Sequence, residues 1–152
     1  MVPNFQYVSV VLFYVVMIAT LVLAWAKGGA PERIGAGLVI ATVLIQFVFH
    51  AFLPPRLATV DMVSLLVDSM MLVGFGWLAI KARRVWPIWA TACQLVSVAS
   101  HSARYFSVEI DPIVYADMKS APTLLAIIAL AIGTIIHDRR LKRFGSDPAW
   151  MN

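Results

Sequence analysis

The chain has 152 residues, 61% of them hydrophobic and 13% charged, with a formal net charge of +4. Soluble domains average about 45–50% apolar and about 25% charged residues, so this composition excludes a disordered chain, a nucleic-acid-binding domain and an ordinary soluble enzyme. The single cysteine, Cys93, excludes a disulfide framework and any Cys-x-x-Cys metal or redox pair.

A membrane-spanning helix needs about 20 mostly apolar residues. Stretches of this kind occur at about 6–26, 34–53, 57–80, 85–106 and 113–136, which predicts an all-α bundle of five transmembrane helices. The first could be misread as a signal peptide ending at Ala24-Trp25-Ala26, but no Lys or Arg precedes it and the apolar run is long. Lys27-Gly28-Gly29-Ala30-Pro31-Glu32-Arg33 reads as a turn, and Pro54-Pro55 stops the second span. Lys81-Ala82-Arg83-Arg84 separates the third and fourth spans. Asp111 before Pro112 reads as a helix N-cap followed by proline at the first helical position. The fifth span holds Pro122, where a kink or break is expected. Residues 1–143 thus form one helical domain, and 144–152 form a short cytoplasmic tail with a mobile or partner-contacting character.

The cations set the orientation. With the C-terminus inside, Lys27, Arg33, Lys81, Arg83, Arg84, Arg139, Arg140, Lys142 and Arg143 lie inside, and only Arg56, Arg104 and Lys119 lie outside. The positive-inside rule favours this topology, N-terminus outside. The positive charge is then mainly topogenic, and anionic lipid at the inner face is its expected partner. Trp25, Trp77, Trp86 and Trp89 fall at the inner ends and Tyr7, Tyr105 and Tyr115 at the outer ends, as interfacial aromatics do.

Polar residues inside spans are costly and mark function by default. Gln46 and His50 share a face of the second span. Asp61, Ser64 and Asp68 share one on the third, and Gln94, Ser97, His101 and Arg104 share one on the fourth. These stripes are expected to meet in a polar wedge that opens outward, rimmed by Glu109, Asp111, Asp117 and Lys119. The inner half looks dry. Asp68, placed near the midplane, must be protonated, paired or wet. The bland alternatives are interfacial histidines, glutamines as interhelical glue, and an Arg104 that snorkels or pairs with an aspartate.

Several chemistries fit such a wedge. Haem between His50 and His101, or a metal on His50, His101 and Asp61, is allowed by residue type, but no spacing signature supports either. Carboxylates and imidazoles are the parts of proton relays, so Asp61, Asp68, His50 and His101 could carry protons. Arg104 could meet an anionic headgroup. Nucleophilic catalysis has no motif: no Gly-x-Ser-x-Gly, His-Glu-x-x-His or phosphate loop occurs. Small-x-x-x-small pairs at Gly37/Ala41, Cys93/Ser97 and Ala129/Gly133 permit close helix approach.

Trp86-Pro87-Ile88-Trp89-Ala90, Gln94-Leu95-Val96, His101-Ser102-Ala103-Arg104, Asp111-Pro112 and the stretch from Ala121-Pro122 to Arg140 resemble a group of small polytopic inner-membrane proteins of alphaproteobacteria. The resemblance covers roughly the C-terminal half. It implies a place in the bacterial inner membrane and no chemistry, since that group has no assigned activity. The paired cysteines of membrane thiol-quinone oxidoreductases are missing, and the motifs of succinate dehydrogenase anchors do not match. The leading expectation is an accessory or interaction protein whose pocket binds a partner or small ligand, alone, as a homo-oligomer or in a larger complex. The alternatives are a proton-coupled or solute-translocating protein using Asp68 and His101, and a histidine-ligated haem or metal protein.

Overall fold

A computed structural model of the chain describes residues 3–52, 62–106 and 112–151. These form five helices: α1 (Pro3–Lys27), α2 (Ala30–Phe52), α3 (Met62–Lys81), α4 (Trp86–Phe106) and α5 (Pro112–Phe144). Among the described residues four stretches are long and apolar enough to cross a membrane: Val10–Lys27, Ala30–Phe52, Met62–Lys81 and Ser120–Phe144. The protein is therefore an all-helical bundle of membrane-protein character. α4 has the length but dilutes its apolar residues with Gln94, Ser97, Ser100, His101, Ser102 and Arg104.

The helix ends follow local chemistry and correct several sequence boundaries. α2 starts at Ala30, earlier than the turn composition suggested. Glu32, its third residue, reaches back so that its Oε2 accepts the Gly29 backbone N–H at 3.0 Å, as the acidic residue of a capping box does. α5 begins at Pro112 as expected, and runs unbroken through the buried Pro122. It continues past Ile136 to Phe144, carrying the basic residues 139–143 as helix. Gly145 then ends it with φ +73° and its N–H on the Leu141 carbonyl at 2.9 Å, a left-handed cap that favours glycine.

Each helix packs against its chain neighbours, α5 closes the ring onto α1, and α2 also touches α5. α1 buries only the stripe Met17, Thr20 and Ala24 among its described side chains, a one-sided contact at helical spacing. The core gathers Val39, Met71, Phe75, Leu78, Ile127, Leu130 and the Trp86 indole, which meets Phe75 edge to face at 5.9 Å. Large apolar side chains dominate the outward faces, from Val11 and Val15 to Phe47, Val73 and Leu95, as suits a lipid-covered surface.

Trp86 shows why two of the glycines are needed. A Cβ at Gly35 would stand 2.6 Å from the indole, and a Cβ at Gly133 would overlap it more severely. The ring of α4 thus fills a slot between α2 and α5. Gly37, the other small residue expected at a helix contact, faces open space.

Candidate functional site

Among the described residues the bundle buries two polar clusters. The first joins α3 to α4. Asp68 Oδ2 accepts the Ser97 hydroxyl at 2.8 Å and lies 3.1 Å from His101 Nε2, while Oδ1 accepts the Gln94 amide Nε2 at 3.2 Å. Gln94 and Ser97 are fully buried and His101 nearly so. The i, i+3, i+7 spacing on α4 aims all three side chains at the one carboxylate. Next to it, Gln46 of α2 donates to Ser64 of α3 at the long distance of 3.4 Å. Thr42, Ser69, Thr91 and Thr134 return their hydroxyls to carbonyls of their own helices, the usual fate of such groups in apolar helices. Ser97 instead reaches across to the neighbouring helix.

The structure therefore brings Asp68, Gln94 and His101 together, with Gln46 one step away through Ser64. His50 lies half-buried near the C-terminal end of α2. Asp61, Glu109 and Asp111 fall outside the described residues. Arg104, Asp117 and Lys119 sit on helices, but their side chains are outside the described set. The described part of α3 begins at Met62, which puts Asp68 about 9 Å from that end and about 20 Å from Lys81 at 1.5 Å per residue. Among the described residues no three His, Cys, Asp or Glu side chains converge as metal ligands would.

The partners of Asp68 share a chemical property. A serine hydroxyl, a glutamine amide and an imidazole can each either donate or accept. Gln94 Oε1 is buried and has no hydrogen-bond partner among the described residues. With Asp68 ionised, the amide N–H serves the carboxylate. With Asp68 protonated, the same amide turned over accepts the acid proton through Oε1.

The second cluster lies at the opposite end of the bundle, and the sequence reading did not find it. Arg84, between α3 and α4, is buried with Glu32 at the start of α2. Its Nε donates to Glu32 Oε1 at 3.0 Å, and Nη2 pairs with Asp147 Oδ2 at 3.0 Å. The Trp86 indole N–H donates to the same Glu32 Oε1 at 3.0 Å. His137 Nδ1 sits 2.7 Å from Asp147 Oδ2 and 3.0 Å from Arg84 Nη2. A proton on Nδ1 satisfies the carboxylate at a distance typical of charge-assisted bonds.

The tail is therefore not a loose end. Arg84 Nη1 donates to the Pro148 carbonyl at 2.9 Å. The Arg83 and Met151 backbone N–H groups bond to Ala149 and Lys81 carbonyls, forming an antiparallel bridge between Ala82 and Trp150. In the sequence, Arg84 counted as topogenic, Trp86 as an interfacial aromatic and Glu32 as part of a turn. The one local clue was Glu32 at the third position of a helix opened by Gly28-Gly29, a capping arrangement.

No family model, curated protein or solved structure matches the chain. The geometry alone carries the functional argument.

Proposed function

We propose that the chain is a proton-coupled protein of the bacterial inner membrane, with five spans, the C-terminus inside, and the Asp68–His101 pair as its proton-binding site. The observation that carries this reading is the make-up of the shell around Asp68: its partners among the described residues, Gln94, Ser97 and His101, can each serve the carboxylate in either protonation state. A carboxylate kept only for structure would be better served by a fixed cation or replaced by an amide. All three partners come from α4, so a proton gained or lost rewrites the α3–α4 contact. That links protonation to helix position.

α4 is read as the fifth span because it fills the space between α3 and α5, where its polar stripe is shielded from lipid. On the tail side of Asp68 the core is closed by Phe75, Leu78, Ile127, Leu130 and Trp86. In this reading Asp68 exchanges protons from the outer side, and passage inward requires α3 and α4 to move. The test is proton uptake into liposomes that hold a trapped pH-sensitive dye, after an imposed pH step. Wild type is expected to equilibrate the pH faster than Asp68→Asn, with His101→Gln between them. Equal rates for wild type and Asp68→Asn at matched folded amounts would overturn the reading.

A second reading, an accessory protein that docks on a partner, has one observation in its favour. α1 leaves Val8, Val11, Val15 and Val22 exposed on its outer face, a long apolar strip that lipid or a partner helix can cover.

A further inference from the structure

The docked tail builds a surface feature that the proton-coupled reading does not use. Where Met151 N–H meets the Lys81 carbonyl at 2.9 Å, the Trp150 ring comes to 5.9 Å from the Trp77 ring, inclined at 58°. Trp77, Lys81, Trp150 and Met151 line an open groove of about 240 Å³. Both indoles stay well exposed, at 48% for Trp77 and 36% for Trp150. Two rings held by a backbone bridge and left uncovered suit the headgroup level of a bilayer, where an amphipathic aromatic is at home.

The charge around the groove selects its occupant. Among the described acids at this end, Glu32 and Asp147 face Arg84, and Asp138 faces Lys142 at 2.7 Å. Lys81 and Arg83 are exposed beside the groove, and among the described side chains no carboxylate is set against them. Apolar walls with an ammonium at the rim match a molecule with an acyl or glycerol body and an anionic head. We infer that this groove is a binding site for an anionic phospholipid, with the phosphate at Lys81 and the glycerol and upper acyl carbons between Trp77, Trp150 and Met151. This goes beyond diffuse attraction of basic residues to the inner leaflet, because the tail must be docked for the second wall to exist. It is independent of the Asp68 site.

The test is native mass spectrometry of the detergent-solubilised protein titrated with phosphatidylglycerol or phosphatidylcholine. Wild type is expected to retain one phosphatidylglycerol in preference to phosphatidylcholine. Lys81→Ala keeps the backbone carbonyl that holds Met151, so the tail stays docked. It should weaken phosphatidylglycerol retention about fivefold, the effect of one lysine at an anionic surface. Trp150→Ala should weaken retention of both lipids, and Lys142→Ala, which removes the same charge away from the groove, should change neither. Three results would overturn the proposal: no preference between the lipids in wild type, equal losses in Lys81→Ala and Lys142→Ala, or a lipid-free dimer that Trp150→Ala converts to monomer.

Discussion

The two buried clusters hold similar residue types and are built on opposite principles. At the tail end, Arg84 is a permanent donor set against Glu32 and Asp147, and no protonation change can reverse its role. At Asp68, the partners are a hydroxyl, an amide and an imidazole, all reversible. The first arrangement ties α2, the α3–α4 link, α5 and the tail into one clamp. Among the described residues the second joins α3 to α4, through partners that can meet either protonation state of the carboxylate. A buried ionisable group is thus a fixture or a switch according to whether its partners can exchange donor and acceptor roles.

Breaking the clamp should have the largest effect. Glu32→Ala leaves Arg84 and the Trp86 N–H without their shared acceptor. We expect a loss of about 3–5 kcal/mol, as for other buried pairs cut on one side, read from unfolding in mixed micelles of increasing SDS. Arg84→Lys should recover little of the stability lost in Arg84→Ala, because one ammonium cannot span Glu32, Asp147 and the Pro148 carbonyl together.

Crowding the Trp86 slot comes next. Gly133→Ala and Gly35→Ala drive a methyl into the indole and should each cost about 1–3 kcal/mol. Gly37→Ala meets nothing and should be neutral or stabilising by up to about 1 kcal/mol, the helix-propensity gain of alanine over glycine. The same micelle titration separates the pair, and a costly Gly37→Ala would show that the slot assignment is wrong.

Asp68→Asn sharpens the contrast between the clusters. An asparagine can still accept from Ser97 and donate to Gln94 Oε1, so the stability loss should stay near 1 kcal/mol, the size of an ordinary hydrogen-bond change. Proton uptake should nevertheless be lost. A destabilisation as large as that of Glu32→Ala would make Asp68 a fixture as well. The smallest effect is expected at the surface pair: Lys142→Ala removes an exposed i, i+4 contact to Asp138 and should cost less than about 0.5 kcal/mol.

The Asp68 cluster was legible because helical periodicity is a local property. Gln94, Ser97 and His101 announce one face of α4, and a carboxylate in the adjacent helix is the natural counterpart for that face. The clamp was not legible for the opposite reason. Its members are 52 to 64 positions apart across the Arg84 contacts, and each resembles something ordinary in its own neighbourhood. Trp86 illustrates the limit. Its position at a predicted helix end implied an interfacial ring, yet Gly35 and Gly133 on two other helices admit it to the core.

The sequence by itself determined the helices and their membrane character, because about 20 apolar residues in a row leave the backbone no other way to satisfy its hydrogen bonds in lipid. It also determined which face of α4 is polar. Only the tertiary structure decided that α5 closes the ring onto α1 and α2, that His137 thereby meets Arg84, and that the tail returns to bridge Ala82. Those contacts depend on helix order in space, on matched small residues and on one buried guanidinium, none of which leaves a periodic mark in the chain.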